Sequence, residues 1–369
     1  MQEKTVNLPP YPASEDVYTS LLKADKPILM YGMGNGADKI LAELNTRGIE
    51  VADFFASDGF VRGHSFHGKR VLSFAEAKEK YADFCIVLSF GTRRREVLDL
   101  LYGYAEEYEM YLPDLPVAGD AVFDKEFYNA HYADFVGAFG QLADEESRRI
   151  FASVIWYKLT GSIRYLVDAW STDTSYDACI AYGELKTTVD AGAYDGDTLS
   201  ALLKKAPQIE KILAIEPDEK NFKRLQRRIE KEGISERVVA LNTALWSYER
   251  TGALSRGGNR NSSLCNDTYG APMREVSLMP LDLLVEGQGI SPDYIKYDVE
   301  GAELEALYGS ERTIGAATPI LQISVYHRSA DLYELIFAAK KLCPGATRLL
   351  RRRDCLPAWE IDLFVLPCN

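Results

Sequence analysis

Three short segments place acids and glycines where apolar runs give way to helical ones. The first is Thr188–Val189–Asp190–Ala191–Gly192–Ala193–Tyr194–Asp195–Gly196–Asp197–Thr198. Gly192 lets the backbone approach a ligand closely, and Gly196 permits a tight turn into the next helix. A pyrophosphate site needs G-x-G-x-x-G, so that amides at a helix N-terminus can hold the phosphates. Here two glycines remain, and Asp190, Asp195 and Asp197 would repel a phosphate. The same acids suit a ligand that carries an amine and a sulfonium.

The second segment, Leu213–Ala214–Ile215–Glu216–Pro217–Asp218, puts Glu216 at the end of the following strand. A carboxylate there accepts both hydroxyls of an adenosine ribose. Alone it is ambiguous, because NAD sites use the same device and Pro217 and Asp218 look like first-turn helix residues. The third segment, Tyr294–Ile295–Lys296–Tyr297–Asp298–Val299–Glu300–Gly301–Ala302–Glu303, ends a strand expected beside the first. Asp298 should face the reacting group there, although Asp298 and Glu303 also make good helix caps. An amine, a sulfonium and an adenosine together describe S-adenosylmethionine. The expected cofactor contacts in these segments are Asp190, Gly192, Ala193, Tyr194, Asp195, Thr198, Glu216, Pro217 and Asp298.

Methyl transfer is an in-line displacement, so alignment carries much of the catalysis. A neutral hydroxyl acceptor also gains from a base. His327 follows the Ile320–Val325 run, which should lie beside the Asp298 strand. The carboxylate would then orient the imidazole and raise its basicity. A hydrogen-bonded loop histidine is an equally good reading of His327. A divalent metal on Asp298, Glu300 and His327 is an alternative way to lower the acceptor's pKa, though no ligand spacing specifies it. His64, His67 and His131 read as structural.

The elements that must position these residues form an α/β pattern. At 369 residues the chain is long enough for two domains. Residues 1–25 read as an arm. Residues 26–112 alternate strands (Pro27–Tyr31, Val51–Ala56, Cys85–Phe90) with helices (Ala37–Asn45, Glu96–Tyr104), the mark of a smaller Rossmann-like domain with a parallel sheet. Residues 113–184 lose the strand signal after Pro113 and Pro116 and form a helical connector, with acids before bases from Leu142 to Phe151. Residues 185–369 hold strand runs at Thr187–Ala191, Lys211–Ile215, Val238–Leu241, Tyr294–Asp298, Ile320–Val325 and Ile361–Leu366, with a hairpin expected within 250–280.

The formal charge of −13 argues against a duplex nucleic-acid partner, which needs a basic face. The Arg93–Arg95 and Arg351–Arg353 runs read as solvated surface. No span is long enough for a bilayer and the start lacks a signal peptide. Six scattered cysteines without close pairs suit a reducing cytoplasm. A homo-oligomer is compatible with all of this.

In order, VDAGAYDGDT, AIEPDEKNFKRL, Asn261–Ser262–Ser263, LDLL, IKYDVEGAE, ISVYHRSADLYEL, RLLRRRDC and IDLFVLP resemble the FkbM family of S-adenosylmethionine-dependent O-methyltransferases, over roughly residues 140–369. The resemblance implies a class I methyltransferase sheet, mostly parallel with an antiparallel last strand. It also implies methylation of a hydroxyl on a sugar or secondary metabolite. Asp190, Gly192 and Glu216 match its cofactor positions, Asn242–Thr243–Ala244 lie near the adenine, and Lys296, Asp298, Glu300 and Glu303 match its acidic signature. Tyr297 and Tyr182–Gly183 depart from the family pattern.

The first domain resembles nucleotide-binding modules of sugar-modifying enzymes, with Gly32–Met33–Gly34–Asn35–Gly36–Ala37 as a G-x-G-x-G-A loop. Its second strand ends at Ser57–Asp58 without a clear ribose acid, which favours a scaffold over a working NAD site. The competing functions are an NAD(P)-dependent oxidoreductase and a non-catalytic nucleotide- or sugar-binding protein of methyltransferase shape.

Overall fold

A computed structural model describes residues 8–10, 15–61, 63–255 and 273–367. The Gly257–Ser262 run, the Asn261–Ser263 motif, Cys265 and Cys368 lie outside the described residues, as does most of the arm before Glu15.

The first α/β unit contains β1 (Ile28–Tyr31), β2 (Asp53–Ala56), β3 (Ser65–Phe66), β4 (Lys69–Arg70), β5 (Leu72–Ser73), β6 (Cys85–Leu88) and β7 (Met110–Tyr111). Its sheet runs β5-β2-β1-β6-β7, all parallel, with β3 and β4 as a separate hairpin. The central strands are short and buried throughout, as a sheet covered on both faces requires. β5 and β7 span two residues each, too short to show any periodicity in the sequence.

The second unit contains β8 (Thr187–Ala191), β9 (Lys211–Ile215), β10 (Val238–Leu241), β11 (Ala244–Leu245), β12 (Arg250–Ser255), β13 (Met273–Met279), β14 (Tyr294–Tyr297), β15 (Ile320–Ser324), β16 (Thr347–Arg352) and β17 (Ile361–Leu366). The main sheet runs β10-β9-β8-β14-β15-β17-β16, and only its last strand in sequence, β17, is antiparallel to its neighbours. This is the mixed seven-stranded sheet typical of class I methyltransferases. β12 and β13 pair antiparallel from Arg250↔Leu278 to Ser255↔Met273, which is the hairpin expected in 250–280.

β16 has no counterpart among the expected strands, because Thr-Arg-Leu-Leu-Arg-Arg reads as a basic surface run. It is not one. Arg351 is 5% exposed and Arg352 fully buried. Arg351 donates to Asp144 at 2.7 Å, and Arg352 donates to the carbonyl of Ala169 at 2.9 Å and to that of Cys355. Buried guanidinium groups are tolerated only with such partners.

Between the two units, helix Glu145–Thr160 starts on Asp144, whose carboxylate accepts from Ser147 N at 2.8 Å. It packs on β16 and ends at Gly161 in the left-handed region, φ +64, where a β-carbon would press on Val17 of the N-terminal helix. One hydrophobic core therefore runs from Val17 and Leu29 through Phe151 to Ile323. A second lies on the other face of the large sheet, around Leu199, Ile212 and Phe364. Among the described residues, no helix is long and apolar enough to cross a membrane.

Candidate active site

The carboxyl ends of β8, β9, β14 and β15 open onto a cavity of about 400 Å³. The switch in strand order falls between β8 and β14, where an open α/β sheet binds its ligands. Asp190, Gly192, Tyr194, Thr198, Glu216, Pro217, Ala244 and Asp298 line it, as expected from the sequence, together with Asp197.

The glycines act on the protein before they act on any ligand. Gly192 has φ +86, and a β-carbon there would overlap the carbonyl oxygen of Asp298. Gly196, φ +85, is the N-terminal cap of helix Asp197–Lys205 and abuts Leu225 and Arg228. Tyr194 takes φ +48 between them, so every second residue of the turn is in the left-handed region.

Asp190 is 3% exposed, and neither carboxylate oxygen has a hydrogen-bond partner. Burial raises its pKa, partly offset by Lys296, whose Nζ lies 3.9 Å away. Lys296 itself sits 3.0 Å from Asp298 Oδ2; burial works to lower its pKa, but Asp298 and Asp190 together raise it. For Asp298 burial pushes upward, yet Lys296 and His327 hold it down to about 2. Glu216 accepts from Tyr194 N at 2.9 Å and from Asp218 N at 2.8 Å, while burial lifts its pKa to about 7.

Three other expected contacts do not line the cavity. Asp195 pairs with Arg228 at 3.1 Å and so braces the turn. Ala193 is buried with its N–H on Ile215 O. Asn242 donates to the carbonyls of Glu216 and Pro217 at 2.8 and 3.0 Å, fixing the β9 end.

His327 lies opposite Asp298, as the neighbouring strands β14 and β15 require, but it is 1% exposed and not on the cavity wall. Its Nδ1 is 2.9 Å from Glu303 Oε1, and its Nε2 is 3.6 Å from Asp298 and 3.5 Å from Glu300. Burial works against its charge, but Glu303, Glu300 and Asp298 raise its pKa to about 10. At neutral pH it is a cation inside a ring of carboxylates. Among the described residues, Glu303, His327 and Asp331 are the set whose donor atoms lie within 4.8 Å of one another. The Nδ1–Glu303 contact occupies that set internally, and the imidazolium supplies the positive charge.

No motif in the chain marks the far wall. Tyr326, Glu360, Asp362 and Arg353 line it, and so does Arg93 from the first α/β unit, paired with Glu360. Thr92 bridges antiparallel to Leu356, Arg95 reaches Asp354 at 2.6 Å, and a β-carbon on Gly91 would stand 2.9 Å from Leu356 O. The Arg93–Arg95 run is thus an inter-unit clasp as well as surface. Of the five non-glycine residues at positive φ among the described residues, Tyr194, Glu300 and Glu360 all belong to this cavity. Strain gathered at one site is a mark of function.

The glycine loop of the first unit serves packing. A β-carbon at Gly32 would lie 2.6 Å from Ser89 Oγ, and one at Gly36 would lie 2.6 Å from Ser89 O. Ser57, at the ribose position, shares a hydrogen bond with Tyr31 OH. His67 pairs with Asp38 at 2.8 Å and His131 stacks on Tyr333, both structural contacts.

Residues 190–340 match the model of the methyltransferase FkbM domain. The structure is similar along 99% of its length to the crystal structure of methyltransferase FkbM from Methylobacillus flagellatus KT, covering 95% of that chain at 20% identity, with a TM-score of 0.71. A weaker likeness is to precorrin-6y C5,15-methyltransferase from Geobacter metallireducens, at 11% identity over 55% of this chain and 96% of that one, with a TM-score of 0.33. No curated protein matches the sequence. The strand order and the domain match agree: residues 190–340 are an FkbM-family methyltransferase domain.

Proposed function

We propose that the chain uses S-adenosylmethionine to methylate a hydroxyl of a neutral, polyhydroxylated small molecule such as a sugar. The observation that carries this reading is Asp190: a buried carboxylate that accepts no hydrogen bond at either oxygen, with the Lys296 ammonium 3.9 Å away, on the wall of a cavity of about 400 Å³. Leaving such a group without a hydrogen bond costs several kcal/mol, and the ammonium of a ligand would supply one.

Asp190 holds the amino end of the cofactor, with Lys296 keeping the carboxylate in place. Glu216 keeps lone pairs for a ribose diol after accepting its two backbone amides. Ala244 and Leu245 give an apolar bed on which an adenine rests. When bound, S-adenosylmethionine supplies an electrophilic methyl group. Asp298, held ionised between Lys296 and His327, orients the reacting centre at the end of β14. Tyr326, Glu360, Asp362 and Arg93 offer a ring and hydrogen-bonding groups of the kind that bind sugar hydroxyls.

The glycine loop packed on Ser89 and the acid-free Ser57 position favour this over a nicotinamide site in the first unit. The test is transfer of tritiated methyl from S-adenosylmethionine to a panel of free sugars, glycosides and cyclitols. Label recovered as a methyl ether supports the reading. Label on nitrogen or carbon, or transfer only to phosphorylated acceptors, contradicts it.

A further inference from the structure

His327, the base that the sequence offers, is not suited to proton removal, and neither is Asp298 beside it. Asp298 is too weak a base once Lys296 and His327 hold its charge, and His327 lies behind the wall as a cation. Glu300 stands between them, on the wall. We infer that Glu300 is the general base that takes the acceptor's hydroxyl proton, and that His327 is the residue that positions it. The inference rests on the O-methylation reading above.

Three observations support it. Glu300 lines the cavity three residues beyond the end of β14, with its side chain 28% exposed, so a hydroxyl can reach it. Its backbone is held at φ +53, and the next residue, Gly301, at φ +94, where a β-carbon would overlap Ala118 of the connector. A carboxylate tolerated in a strained, closely packed turn is placed there for a reason other than stability. Its Oε2 lies 3.5 Å from His327 Nε2, while the other ring nitrogen is anchored 2.9 Å from Glu303. That fixes the imidazolium behind the carboxylate.

The groups facing Glu300 come from every side. His327 and Tyr326 follow β15, Asp298 follows β14, Glu303 begins the next helix and Glu216 follows β9. Burial raises the Glu300 carboxyl, His327 lowers it and the acids raise it again, leaving it at about 8. A base effective near neutral pH needs such a value. In the step itself the acceptor O–H bond breaks and its proton passes to a Glu300 oxygen. The oxygen's electron pair forms the new O–C bond, the S–C bond breaks, and its pair stays on the departing thioether sulfur. The proton then leaves Glu300 for solvent.

Infrared titration of the full-length protein loaded with S-adenosylhomocysteine tests the assignment without an acceptor. The wild type should lose a protonated-carboxyl band between about pH 7 and 9, and that component should be missing from Glu300→Gln. Bands from Glu216 and Asp331, also raised to about 7, should remain in the variant. With a polyol acceptor, Glu300→Gln should lower kcat by roughly 10²–10⁴-fold at unchanged S-adenosylmethionine affinity. Glu300→Asp should recover part of it, and His327→Gln should shift the pH profile. A wild-type titration identical to that of Glu300→Gln, or turnover of that variant within about twofold of wild type, overturns the inference. Cofactor binding without transfer to any polyol counts instead against the acceptor class, and the infrared result still judges Glu300.

Discussion

Gly192 and the carbonyl oxygen of Asp298 are packed so closely that no side chain fits between them. The turn after β8 and the end of β14 are thereby locked together, and the cofactor loop is set against the acidic signature. Gly192→Ala must both overpack this contact and place a side chain at φ +86. It should cost roughly 2–5 kcal/mol of stability, read by urea unfolding, and abolish S-adenosylmethionine binding. A variant of wild-type stability and affinity would show that the two turns are not coupled.

Glu216→Gln keeps the shape of the side chain and removes its charge. Affinity for S-adenosylmethionine should fall roughly 10- to 100-fold, the worth of charged hydrogen bonds to a ribose diol. The pKa of Glu216 is raised to about 7, so its stabilising contribution is complete below about 4.5 and is lost as pH rises through 7. Glu216→Gln should therefore gain stability relative to wild type between pH 5 and pH 8, about the range of that titration. Thermal melts across the range would show no such pH dependence if Glu216 were solvated.

His327 is the cation at the centre of Glu303, Glu300 and Asp298. Removing it in His327→Gln leaves buried carboxylates without a counter-charge, at a cost of about 3–5 kcal/mol. Because its pKa is raised to about 10, its contribution is full below about 6.5 and disappears as pH rises through 10. The gap in unfolding free energy between wild type and variant should shrink steadily toward alkaline pH. A gap independent of pH would mean that the imidazole is neutral in the folded protein.

Arg93 meets Glu360 across the two α/β units with its side chain half exposed. Such a pair is worth about 1 kcal/mol or less, so Arg93→Ala should melt close to wild type. If Arg93 forms part of the acceptor wall, the variant's KM for the polyol acceptor should rise with little change in S-adenosylmethionine affinity. An unchanged KM would confine Arg93 to the clasp.

The parts of the site legible in the sequence are those built from consecutive residues. Asp190, Gly192 and Glu216 sit at ends of apolar runs whose limits the sequence marks, so their places at the ends of β8 and β9 followed from pattern alone. The pairing of β14 with β15 likewise followed from strand order and brought His327 to Asp298. Pattern could not say that His327 would sit behind the wall. That depends on Glu303, one helical turn farther on, drawing Nδ1 inward.

The far wall was hidden because its residues are distant in the chain. Arg93 and Glu360 meet only because Thr92 and Leu356 bridge two units. β16 was hidden for a different reason. Its arginines carry the composition of a surface, and only their carbonyl and carboxylate partners, Ala169 and Asp144, explain their burial.

The central claim is that Asp190 awaits the ammonium of S-adenosylmethionine. Isothermal titration calorimetry of the full-length protein tests it most directly. The account expects saturable binding to the wild type, and loss of that binding in Asp190→Ala with the fold retained by circular dichroism. No heat of binding to the wild type, or equal affinity in Asp190→Ala, would contradict it.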